Sequence, residues 1–501
     1  MPSRPFREVP LGPYLPDLGG RPSQEIPGYL VDAVGVRFTP SGYRGMPQLQ
    51  NVASSTTFGA AGTVGHASMA YKGNGEVTIL VAAAGTTPAT YSVYATDDLG
   101  QNWTEAITSL GNTPWAFDMA QYHHRVYIAR GIGDTRYYDL DDEAVGTVAA
   151  APSGSTIARV RDHLVIGGLW DATDYRIEKT AVQWSAISDP EDWPTPGTAD
   201  ARAKQAGIQY LSRQYGWVGK VVSGEKFGLI FQERAITRMT YVGGSVVFEF
   251  DTFETKEGCG ELDSLDIAEI APAAVVTIGP NLWMWANDHG VFTTDGYSVK
   301  NVSEGVIDEA LFANTIGFPD SLGGRARSAA YDQLRGVVIF KTGSTSQLCY
   351  HVASSTFSFV ESANYNSVFS GKSSLSSGEA QIYNITSGRQ LQRLDGVNDG
   401  VAVQTGFIEL DPGYRVQLQG VEIIGSDVPG SLAVSYKAAS DYDDVDTLQT
   451  GFTAMTAAPR GNKFTARAGG NLLAFRVTGT GAESQLIRGL RIHFERAEPT
   501  L

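Results

Sequence analysis

VVSGEKFGLIFQ, residues Val221–Gln232, places two apolar runs on either side of a polar turn, and the same order recurs five more times along the chain. The other copies are Met69–Ala83 (MAYKGNGEVTILVAA), Met119–Ala129 (MAQYHHRVYIA), Ala158–Gly168 (ARVRDHLVIGG), Val276–Ala286 (VTIGPNLWMWA) and Ala329–Thr342 (AAYDQLRGVVIFKT). Each reads as a β-hairpin: Gly, Asn, Asp or Lys permits the tight reversal, and Val, Ile, Tyr, Trp and Phe suit a pleated, half-buried strand. The starts are spaced by 50, 39, 63, 55 and 53 residues, which suggests repeated units of unequal length. A hairpin cannot bury its own apolar face, so the series predicts stacked blades, most simply a β-propeller.

The predicted fold is all-β: residues 1–50 an extended N-terminal arm, 51–400 the propeller, and 401–501 a small β-sandwich. A chain of 501 residues exceeds one compact domain, and 57 glycines fit a protein dense in turns. The first 50 residues are rich in Pro and Gly and lack periodicity, which suits an arm lying over a neighbour. Ala380–Thr386 and Gln390–Leu394 supply strands of a last, irregular blade, and the turn-dense run Asp395–Gly400 marks the domain boundary. Beyond it, six strand-like runs follow within about 100 residues, a density that favours an antiparallel sandwich. In the last, Leu490, Ile492 and Phe494 alternate onto one face. Helices are expected to be few and short, the foremost candidates being Asp200–Arg213 and Ser303–Phe312, where Ser303 could cap.

Charge narrows the function classes. The chain carries 38 basic and 54 acidic groups, a net charge of −16, and residues 51–400 hold 24 of the basic and 39 of the acidic ones. A blade region so acidic repels nucleic acid, because affinity for the phosphate backbone depends on Lys and Arg displacing counterions. The N-terminus lacks the apolar core of a secretory signal, and no run of about 18 apolar residues could cross a bilayer. Cys259 and Cys349 read as reduced structural thiols of a cytoplasmically assembled protein.

Two motifs stand out. In VQWSAISDPEDW, Trp184 and Trp193 bracket a turn in which Asp189 can accept backbone N–H groups and Pro190 presets φ. The functional reading is an aromatic ligand platform, and the favoured one is a blade connection with both rings packed inside. In TDDLGQNW, Thr96, Asp98, Gly100 and Trp103 fit a Ser/Thr-x-Asp-x-Gly-x-x-Trp pattern that resembles the Asp-box of sialidase-type propellers, a structural device. Asp288-His289-Gly290 is a partial match. His123 and His124 are adjacent, so on a strand they would point to opposite faces, and a hairpin turn suits them better than a metal. SDYDDVD, with Asp441, Asp443, Asp444 and Asp446, lacks the Gly and distal Glu of an EF-hand and reads as a solvated loop. No nucleophile elbow, Walker loop or dinucleotide fingerprint is present, so no catalytic, cofactor or metal residue is expected.

Several stretches together resemble the tail nozzle and DNA-stabilisation proteins of short-tailed bacteriophages. Val182–Trp193 is similar to that family's succession of Trp-Ser, Asp-Pro and a second Trp between blades. Phe227–Phe231, Glu233–Tyr241 and Gly258–Pro272 lead into Asn287–Val299, where Gly290-Val291-Phe292 and Asp295-Gly296 resemble its blade pattern, followed by a short helix at Ile307–Phe312. Ala33–Val36 with Gly42–Arg44 is similar to its opening. Thr405–Leu410, Arg467–Gly470 and Leu472–Val477 are similar to its last domain, which more often has Gly-Arg where this chain has Gly470-Asn471.

The resemblance implies a non-enzymatic virion component: a homo-hexameric nozzle ring under the portal or adaptor ring, beside other tail proteins, forming and closing the DNA exit channel. Double-stranded DNA would pass without sequence-specific binding. The alternative from another class is a virion-associated glycan-binding or glycan-hydrolysing propeller, supported by the Asp-box-like turn and eight tryptophans.

Overall fold

The structure, a computed structural model, describes residues 6–18, 20–52, 55–59, 64–84, 90–108, 110, 117–170, 179–260, 262, 274–308, 328–341, 346–361, 367–374, 378–396, 398–427, 431–440, 448, 451–458, 462–481 and 483–499. It is an all-β propeller with almost no helix among the described residues.

Six separate four-stranded antiparallel sheets span 64–107, 118–148, 153–210, 218–254, 275–301 and 367–396, the last completed by Gln48–Asn51. A further four-strand unit, 329–361, stands between the fifth and the last of these and belongs to a ten-stranded sheet. In chain order these are the first to seventh blades. All six hairpins read from the sequence are the first two strands of a blade, as in Val218–Ser223 paired with Phe227–Gln232.

Their long apolar runs follow from position. An inner strand has a neighbouring blade on each side, so both of its faces are buried. In Val77–Ala84, Ile79, Val81 and Ala83 pack toward the seventh blade while Leu80 and Ala82 pack toward the second. The same division repeats between each consecutive pair of blades, and Phe369, Tyr383 and Leu391 of the seventh pack with Val64 and Met69 of the first, closing the ring.

First strands of most consecutive blades lie side by side without forming a sheet, so their backbone groups need other partners. Side chains of adjacent blades provide them. Gln121 accepts from the Tyr71 N–H at 3.0 Å and donates to the Tyr71 carbonyl at 2.6 Å. Ser328 accepts from the Val368 N–H at 2.8 Å and donates to its carbonyl at 3.0 Å.

The N-terminal segment departs from an arm over a neighbour. Phe6–Pro10 pairs with Leu486–Pro499, Leu30–Val34 with Asn398–Thr405, the hairpin Val36–Thr39 and Gly42–Gly45 with Leu486–Pro499, and Gln48–Asn51 with Leu391–Gly396. These strands are only four or five residues long, too short for periodicity to show, and their partners lie hundreds of residues away. The strands after residue 398 form no further blade. Tyr414–Ser426, Lys463–Gly470 and Leu486–Pro499 share a seven-stranded sheet, while Asn398–Thr405, Ala433–Ala439 and Leu472–Gly481 extend the ten-stranded sheet of the sixth blade. Leu418, Ile492 and Phe494 of the first and Val434, Phe475 and Val477 of the second belong to one apolar cluster.

The first helix expectation, Asp200–Arg213, shrinks. A helix covers only Ala199–Ala203, with the Thr198 hydroxyl accepting from the Ala201 N–H, because Gly207–Tyr210 is drawn off as the outer strand of the third blade. The Ser303 carbonyl accepts from the Val306 and Ile307 N–H groups, yet its hydroxyl bonds the Val291 N–H of the fifth blade instead of capping a helix. Residues 309–312 lie outside the described residues, as does the aspartate run 441–447.

Candidate functional site

The Thr96–Trp103 motif is the reversal between the third and fourth strands of the first blade. Leu99 and Gly100 adopt φ of 54° and 84°, the left-handed region that Gly enters without cost. Thr96 donates to Asp98 at 2.7 Å and accepts from the Gly100 N–H at 3.1 Å. Asp98 also takes the Asn102 backbone N–H at 2.9 Å and the Asn102 side chain at 2.7 Å. Burial pushes its carboxyl up, but the Asn102 and Thr96 donors outweigh it and hold it below the usual range. Trp103 packs beneath against Phe58, ring centroids 4.3 Å apart. With its lone pairs spent on this turn, Asp98 is a fastener.

The same device recurs where the sequence reading passed over it. Asp139 opens the equivalent turn of the second blade, accepting from the Asp141 N–H at 3.1 Å and from Arg125 at 2.8 Å. Asp295 serves the fifth, accepting from the Tyr297 and Ser298 N–H groups at 2.9 and 2.8 Å. In each, burial raises the carboxyl and the donors more than offset it. The shared signal is an Asp at the end of a third strand, and neither turn keeps the tryptophan spacing that flags the first.

Trp184 and Trp193 are buried on opposite sides of the third blade. The Trp184 Nε1 donates to the Gln205 carbonyl at 3.0 Å and its ring meets Phe248 edge-on toward the fourth blade. The Trp193 Nε1 donates to the Pro190 carbonyl at 2.8 Å, and its ring lies among Tyr127, Ile166 and Leu169 toward the second. Asp189 accepts from the Glu191 N–H at 3.1 Å. The two rings form no shared platform, and no described tryptophan is exposed. His123 sits at φ 54° in its hairpin turn, while His124 lies 3.4 Å from Asp139.

One dense polar constellation among the described residues was not legible in the sequence. First strands of the second, third and fourth blades bring Asp118, Thr156 and Lys220 together. Asp118, 1% exposed, accepts from Lys220 at 2.6 Å, the Met119 N–H at 3.0 Å, Thr156 at 2.7 Å and the Ile157 N–H at 3.0 Å. Thr156 in turn accepts from the Val221 N–H at 3.1 Å. His66 of the first blade stands near enough to feel both charges. Burial lowers its pKa to about 4, with Lys220 pushing the same way and Asp118 opposing. Each Asp118 oxygen is bonded twice, so the carboxylate binds three blades together and has little capacity left for a substrate. Among the described residues no group of three or more His, Cys, Asp or Glu could hold a metal ion, and Cys259 and Cys349 are buried. No helix among them is long and apolar enough to cross a membrane.

No family model matches the sequence, and no curated protein matches it. Among solved structures the chain is similar to U3-55K, with 10% identity, a TM-score of 0.40 and coverage of 71% of this chain and 93% of that one. It is similar to the WD40 repeats of RRP9 at 11% identity and a TM-score of 0.40, over 72% and 93% of the two chains.

Proposed function

We propose that this chain is a structural protein of the tail of a short-tailed bacteriophage, in which copies form a nozzle ring that makes and closes the DNA exit channel. In this reading the propeller, 51–400, and a β-sandwich platform over 401–501, tied in by the N-terminal strands, are the two bodies of each subunit. It is a non-enzymatic virion component assembled in the host cytoplasm, six copies meeting the portal or adaptor ring.

One observation carries the reading: the motif carboxylates are consumed by their own turns, while the excess acidity remains in the propeller region. A channel wall of that sign offers phosphate no counterion release, so DNA can slide past without sticking. The glycan-binding alternative is less favoured, because every tryptophan among the described residues is wholly or partly buried, which limits stacking on sugar rings. Electron microscopy of the purified protein and of assembled tails tests the proposal. A closed ring of copies around an axial channel is expected, and a protein that stays monomeric under every assembly condition overturns it.

A further inference from the structure

Three segments distant in the chain meet at one exposed carboxylate. Glu483, 40% exposed, lies in a turn just before Leu486–Pro499 of the seven-stranded sheet, and Leu472–Gly481 of the ten-stranded sheet precedes it in the chain. Arg335, in the first turn of the sixth blade, grips it with both arms of its guanidinium, Nε at 3.0 Å and Nη2 at 3.3 Å. Arg37, from the N-terminal hairpin, adds a contact at 3.3 Å. Arg44 of the same hairpin donates to the Glu483 and Ser484 carbonyls, both at 3.1 Å.

Arg335 and Arg37 are also held by contacts that do not involve the glutamate. Arg335 is only 6% exposed and is fixed by the buried Asp332 at 2.8 Å, and Arg37 donates to the Arg335 carbonyl at 3.4 Å. Without the Glu483 carboxylate, the Arg335 and Arg37 guanidiniums would share only Asp332, which pairs with Arg335, leaving a positively charged fork open to solvent. Such a fork matches carboxylate, phosphate or sulfate bidentately and accepts chloride poorly.

We propose that the Glu483 turn is a releasable strap: the chain's own carboxylate occupies an arginine receptor, and an oxyanion presented by a partner displaces it and frees the turn. The buried receptor persists while the exposed ligand exchanges, so binding loosens the tie between the sixth blade and the seven-stranded sheet. The inference holds whether or not the chain forms a ring.

Amide hydrogen exchange on the full chain, in sodium sulfate and in sodium chloride at matched ionic strength, tests it. In wild type, sulfate should speed exchange across 483–488 by about tenfold relative to chloride, with 227–241 of the fourth blade as an unchanged reference. Glu483→Gln should already exchange fast there in chloride, while sulfate should slow exchange across 332–340 by filling the vacated fork. Identical wild-type exchange in the two salts overturns the proposal, as does a folded Glu483→Gln indistinguishable from wild type in chloride. If that variant fails to fold, the wild-type comparison decides alone.

Discussion

At the scale of single residues, two aspartates separate a local fastener from a tertiary one. Asp98 closes a turn from residues within four positions of itself, so removing it loses hydrogen bonds that water can replace. Asp98→Ala should cost about 1 kcal/mol in urea unfolding. Asp118 is buried and neutralises Lys220 across a blade, so its loss strands a charge, and Asp118→Ala should cost about 3–5 kcal/mol. Equal effects would contradict these roles. The first aspartate was readable because its partners are sequence neighbours. Nothing near Asp118 in the sequence points to Thr156 or Lys220.

At the scale of elements, the fourth strand of the last blade is the informative case. Gln48–Asn51 supplies it from the far end of the chain, held by the Leu49–Leu394 register and an amide ladder. In that ladder Asn384 donates to Gln392 at 3.0 Å and Gln392 to Asn51 at 3.0 Å. The blade completed in this way packs its face against the first blade. Deleting residues 1–51 should therefore unravel the seventh blade first, seen as rapid amide exchange over 367–396 before loss of the other blades. Retained protection there would show that the strand is dispensable. Inner strands were legible because two buried faces give continuous apolar runs. Outer strands such as Phe248–Glu254 alternate with solvent and carry little signal.

At the scale of the whole molecule, stability should fall with acid. His351 of the sixth blade is 2% exposed, and burial lowers its pKa to about 3, while burial also lowers that of His163. The unfolded chain takes up protons near pH 6.5 that these folded imidazoles refuse. Their stabilisation is thus complete above pH 6.5 and shrinks progressively toward pH 3. Melting temperature should drop over that window, and His351→Gln should flatten part of the drop if it folds. A melting temperature independent of pH between 6.5 and 4 would refute this. By itself the sequence determined the all-β class, the repeated hairpins and the packing role of their turns, because strand period, turn chemistry and local hydrogen bonds act over a few residues. Only the tertiary structure decided how the ring closes, where the N-terminal strands go, and which charges meet at Asp118 and Glu483. Those pairings join positions tens to hundreds of residues apart, and they depend on how the ring brings the strands together.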